Sequence, residues 1–117
     1  MNTTNLKFLL AGLALTAIGM QSAVAQVPTD AQAEKIIEER YCSGCHEMAK
    51  KMVGPSYNDV SRKYAVGDKK ANMEKLSIAI RKGGKGVWGT MAMPANAAIT
   101  DAELKTITDW LVNRTVK

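Results

Sequence analysis

The chain has 117 residues, a formal charge of +5, two cysteines and a single histidine. That length builds one small domain with a modest core. With so few histidines and aromatics and no nucleic-acid motif, the basic balance does not point to nucleic acid. Two cysteines separated by two residues would close too small a loop to staple a fold as a disulfide.

Met1 to Lys7 is short and carries one charge, Phe8 to Met20 is an apolar run of 13 residues, and Ala23-Val24-Ala25 follows as an A-x-A site. This order reads as a secretory signal peptide over residues 1–25, cut after Ala25. The run falls short of the roughly 20 residues a spanning helix needs, so an uncleaved anchor is the weaker alternative. No cysteine at the cut offers a lipid attachment point. The mature domain is then residues 26–117, exported to the periplasm, and loss of Lys7 lowers the formal charge to +4. Lysines supply most of it, either as a solvated surface or as a basic face that steers docking onto an acidic partner.

No repeat or β-hairpin signal is visible, and four helices account for the periodicity. The first runs from about Asp30 to Tyr41, capped near Thr29, with Ala33, Ile36 and Ile37 as its apolar stripe. It leads directly into Cys42-Ser43-Gly44-Cys45-His46. The second is short: Ser56 caps it, Asp59 stands three residues on, Tyr57, Val60 and Tyr64 share a face, and Gly67 helps end it. The third runs from about Lys69 to Lys82 behind Asp68 as N-cap. Met73, Leu76 and Ile80 line one face, and Gly83-Gly84 stop it after two basic residues that suit the helix dipole. The fourth opens on a capping box, Thr100-Asp101-Ala102-Glu103, with Ile99 and Leu104 as a hydrophobic staple. Leu104, Ile107 and Leu111 form its buried stripe, flanked by Trp110. The fold class is all-α. Between the last two helices, Gly83 to Ala98 is an irregular loop rich in glycine yet carrying Trp88, Met91 and Met93, so it must pack on something large and apolar.

The cysteine motif says what that is. C-x-x-C-H is the attachment sequence of a c-type haem, and it consumes both cysteines and the only histidine. At i, i+3 and i+4 the three side chains share one face of a helical turn. Two thiols can therefore add across two vinyl groups on one porphyrin edge while His46 reaches the iron. A thioredoxin-like redox pair needs a βαβ frame that the pattern lacks. A zinc site needs about four ligands, and three on one turn cannot surround a metal.

One axial histidine leaves a sixth position, and thioether sulfur is the leading occupant. Met48 and Met52 lie too close to His46 in sequence to reach the opposite face, and Met73 belongs to the stripe of the third helix. Met91 and Met93 remain, two residues apart and facing the same way in an extended segment. Pro94 restricts Met93 and stiffens the loop beside it, which lowers the entropy lost on ligation and favours Met93, with Met91 as core or reserve ligand.

Three blocks in order, Cys42-Ser43-Gly44-Cys45-His46, Lys51-Met52-Val53-Gly54-Pro55-Ser56-Tyr57, and Gly86-Val87-Trp88-Gly89 leading to Met93-Pro94, resemble the class I c-type cytochromes of the small bacterial c-551 type. The resemblance covers essentially all of residues 26–117. It implies four to five helices wrapped around one haem c, bound covalently through Cys42 and Cys45, with His46 and Met93 as iron ligands. It further implies that the Pro55 carbonyl accepts a hydrogen bond from the other nitrogen of His46, a contact that orients a ligating ring. Trp88 would offer its indole N–H to a haem propionate, in keeping with the need of a buried indole for a partner. Relatives carry a helix-three arginine that also reaches a propionate; here that position is Ala79, while Arg81 and Lys82 point elsewhere. Tyr41 is bulkier than the resemblance leads one to expect.

The expected function is that of a soluble, monomeric, periplasmic one-electron carrier, not an enzyme. It would serve respiratory complexes or terminal reductases through transient docking at a haem edge ringed by Lys50, Lys51 and Lys85. The rival readings are an electron-input subunit of a larger redox complex and a haem enzyme or gas sensor with a displaceable Met93.

Overall fold

The computed structural model describes residues 19–117, so most of the apolar run read as a signal peptide lies outside the described residues. Among the described residues there are four helices: α1 (Asp30–Glu39), α2 (Tyr57–Tyr64), α3 (Lys69–Lys82) and α4 (Asp101–Asn113), with a 3-10 turn at Cys42–Gly44. Each begins where a short polar side chain takes a free backbone N–H. Thr29, Ser56, Asp68 and Thr100 accept from Gln32, Asp59, Ala71 and Glu103 respectively, and the first and last complete capping boxes. Among the described residues the only strand-like pairing is a single antiparallel bridge between Gly84 and Met93.

Helix α4 is the centre of the molecule and packs against the other three. Ile99 and Leu104 are both buried, so the staple forms. Trp110, read from the sequence as flanking the stripe, is fully buried at the core's middle. Its indole N–H donates to Asp30 Oδ1 at 2.7 Å, and the Arg114 guanidinium lies 4.4 Å over the ring. That polar end is what allows so large a ring to sit inside. The Arg40 guanidinium donates two bonds, at 3.0 and 2.8 Å, to the two Glu103 carboxylate oxygens. Together the two contacts tie both ends of α1 to α4.

Helix α1 stops two residues earlier than its periodicity suggests. Tyr41 is the one non-glycine residue with positive φ among those described, at φ 59° and ψ 26°. A left-handed residue just beyond a helix end is the usual device for turning the chain, and glycine usually fills it. Tyrosine there costs on the order of 1–2 kcal/mol. The reversal throws Cys42–Gly44 into a tight turn of its own rather than extending α1.

Candidate functional site

The turn that follows Tyr41 is closed by the Cys42 carbonyl, which accepts from the N–H groups of both Cys45 (3.2 Å) and His46 (3.0 Å). The expected one-turn clustering of Cys42, Cys45 and His46 is therefore present, and both thiols are free and half-buried on the wall of one large cleft. Burial pushes the Cys42 thiol above its ordinary range.

His46 is held from behind. Its Nδ1 lies 2.7 Å from the Pro55 carbonyl oxygen. A carbonyl can only accept, so Nδ1 carries the proton and the lone pair of the neutral ring resides on Nε2. That is the state an iron ligand requires. Gly54 makes the approach possible: a Cβ there would stand 2.8 Å from Nδ1 and collide with Cε1. The loop is stitched to the cysteine turn by Gly54 N–H to Cys45 O (2.9 Å), Tyr57 N–H to Glu47 O (3.0 Å) and Asn58 N–H to Met48 O (3.0 Å). The Tyr57 ring packs 5.5 Å from the imidazole and 5.6 Å from Trp110, linking the histidine to the core. Burial, and then the nearby cysteines, push the Tyr57 phenol well above its ordinary range, so it stays neutral.

The opposite wall is the loop after α3. Met93 exchanges both backbone bonds with Gly84 (3.1 and 2.8 Å), and its half-buried side chain packs against the core. Met91 also borders the cleft but is 68% exposed, out on the rim. Gly83 permits this arrangement twice over. Its φ is +73°, and a Cβ would lie 2.9 Å from the Ala95 nitrogen and 2.5 Å from the Met93 carbonyl. Asn96 fixes the far end of the segment: its N–H donates to Ile80 O (2.9 Å) and its side chain to Arg40 O (3.0 Å). Trp88 lines the cleft and is 39% exposed, a wall residue rather than core. Ala79 lines it too and brings no charge. Arg81 turns away to Asp101 (2.6 Å) and the Ile99 carbonyl, as read from the sequence. Lys85 borders the cleft, while Lys50 and Lys51 are exposed.

The deep wall is apolar, formed by Ile37, Leu76, Ile80, Ile99, Ile107 and Leu111. A flat apolar group with two attachment points at the cysteine end fits this cleft: the two thiols suit its covalent tethering, and one imidazole and one thioether suit haem iron. Gly54, Gly83 and Asn96 were not singled out as site residues in the sequence. The Gly54-Pro55 pair beside the histidine motif was the nearest signal, and nothing local marks Asn96.

The family profile described as "Cytochrome C oxidase, cbb3-type, subunit III" matches residues 19–111. Cytochrome c-552 of Hydrogenobacter thermophilus is 40% identical over 80 residues, covering 68% of this chain and 79% of that protein. Cytochrome c-551 of Pseudomonas aeruginosa is 38% identical over 106 residues, covering 91% and 94%. The crystal structure of wild-type Nitrosomonas europaea cytochrome c552 superposes with a TM-score of 0.62 at 34% identity, covering 68% of this chain and 95% of that one.

Proposed function

The chain belongs to the class I c-type cytochromes, in the small c-551/c-552 group with its covalently held haem c, and from that premise we propose that it is a soluble periplasmic one-electron carrier. The observation that carries this reading is the His46–Pro55 contact at 2.7 Å, which leaves the ring's free lone pair on Nε2, on an imidazole that lines the same apolar cleft as Met93. Bound haem supplies the redox couple, its iron alternating between ferric and ferrous. The chain supplies the rest. Cys42 and Cys45 tether the group. His46 would hold the iron from a fixed ring and Met93 would hold it through its thioether sulfur, which favours the reduced state and raises the potential. With both positions taken by side chains, no site is left for a substrate, and little need move when the electron arrives.

Export with cleavage after Ala25 belongs to the same proposal, and the N-terminal residue of the purified protein tests it: Gln26 is expected. Lys85 at the cleft and the exposed Lys50 and Lys51 support transient docking on acidic partners. The profile's description, a subunit of an oxidase, favours a second reading as a bound electron-input module. That reading predicts co-purification with a partner that high salt does not release. The carrier reading is tested by potentiometry of the holoprotein in the presence and absence of excess cyanide or imidazole. A one-electron transition that added ligands leave unmoved is expected; rapid ligand uptake by the ferric protein argues for an enzyme or sensor.

A further inference from the structure

Among the described residues the titratable groups on the cleft wall are Cys42, Cys45, His46, Tyr57, Tyr64 and Lys85, with no carboxylate among them. A haem brings two carboxylates of its own, the propionates, on the porphyrin edge opposite the vinyl groups that the cysteines bond. Helix α2 marks where that edge falls. It starts at Tyr57, beside His46 at the cysteine end, and reaches Tyr64 seven residues later, about 10 Å along the axis. Tyr64 lines the cleft as well, so α2 runs its length. At this far end the Lys63 ammonium lies 5.9 Å from the Tyr64 ring centroid and 5.7 Å from that of Trp88. Two aromatic rings of the cleft wall thus hold one cation through their electron-rich faces.

The neighbouring charges are engaged. Arg62 pairs with Asp59 (3.2 Å), Asp68 caps α3, and Lys69 donates to Asn113 (2.7 Å). Helix α3 contributes only Leu76, Ala79 and Ile80 to the cleft. Lys63 makes no ion pair with any carboxylate among the described residues.

Resting on the reading that haem is attached, we propose that Lys63, held against Tyr64 and Trp88 at the edge of the cleft, is the positioning residue that supplies the counter-charge to a haem propionate, a charge that Ala79 does not bring. An ammonium beside a carboxylate favours its ionised form, and with its three donors it can bond a propionate directly. It thereby sets the pH at which the potential of the iron begins to rise as the propionate takes up a proton.

The test is the pH profile of the midpoint potential of the holoprotein, compared for wild type, Lys63→Gln, Lys63→Arg and Lys85→Gln. Lys63→Gln should move the redox-linked ionisation upward by about one pH unit, tenfold in proton affinity, with haem content and melting temperature unchanged. Lys63→Arg should superimpose on wild type. A Lys63→Gln profile identical to wild type, or a shift confined to Lys85→Gln, overturns the inference. Covalent haem in the wild type is measured separately by absorbance after denaturation, and its absence overturns the haem reading and this inference with it.

Discussion

On the His46 side of the cleft, each anchoring bond is made between residues close in sequence. His46 meets Pro55, Gly54 meets Cys45, and Tyr57 meets Glu47, at 2.7 to 3.0 Å. On the Met93 side the Gly84–Met93 bridge spans nine residues, as the His46 contact does, but Asn96 reaches further, to Ile80 and to the Arg40 carbonyl at the end of α1. The histidine is therefore set by its own loop, whereas the methionine is set by the assembled fold. Local opening that parts Asn96 from the end of α1 should therefore release methionine before histidine.

Removing the shared support breaks both sides. Cys42→Ala with Cys45→Ala should yield a haem-free chain that has lost most of its helix by far-ultraviolet circular dichroism, because so small a core cannot stand without the group it wraps. A folded, helical double mutant contradicts this.

Paired glycine substitutions separate the two sides. Gly54→Ala and Gly83→Ala should each destabilise by about 2 kcal/mol in denaturant titrations. Their spectra should differ. Gly54→Ala displaces the His46 ring, whereas Gly83→Ala strains the backbone beside Met93 and should weaken methionine ligation while haem stays covalently attached. Identical spectra for the two variants would erase the distinction drawn between the walls.

Acid probes the long-range anchor. Its hydrogen bonds from Arg40, and then from the Thr100 backbone, hold the Glu103 carboxyl down to about 2 from an ordinary 4.5. A depressed carboxylate stabilises the fold fully above its unfolded value, and that contribution is lost as pH falls from about 4.5 toward about 2. The Arg40 segment also receives Asn96, so methionine ligation should loosen in the same window. Glu103→Gln should lower stability at neutral pH and flatten this acid dependence; an unchanged melting-temperature profile counts against it.

The smallest effect expected is a gain. Tyr41→Gly removes a side chain that is 87% exposed and relieves the left-handed backbone, for about 1 kcal/mol of added stability by thermal melting. Relief at this turn should leave the axial spectrum unchanged.

The same contrast explains what could be read from the chain. The caps at Thr29, Ser56, Asp68 and Thr100 are local signals, and all four helices begin where those residues place them. The His46 side was legible because the block that carries Gly54 and Pro55 follows the cysteine block closely, and the resemblance it supports implies the Pro55 contact. Tyr41 hid the end of α1, since nothing in a tyrosine announces positive φ. The roles of Gly83 against Ala95, of Asn96 at Arg40, and of Lys63 over Trp88 depend on contacts between distant segments, which periodicity and capping do not encode. Trp110 belonged to the core centre rather than its edge because Asp30, 80 residues away, satisfies its indole.

The central claim is that Met93 closes the iron site from the loop wall while Met91 stands on its rim. Ferric iron bound to methionine sulfur shows a weak near-red charge-transfer band, and comparing Met93→Ala with Met91→Ala at neutral pH tests the claim directly. The account predicts that Met93→Ala abolishes the band and Met91→Ala retains it. A band that survives Met93→Ala and vanishes in Met91→Ala contradicts it.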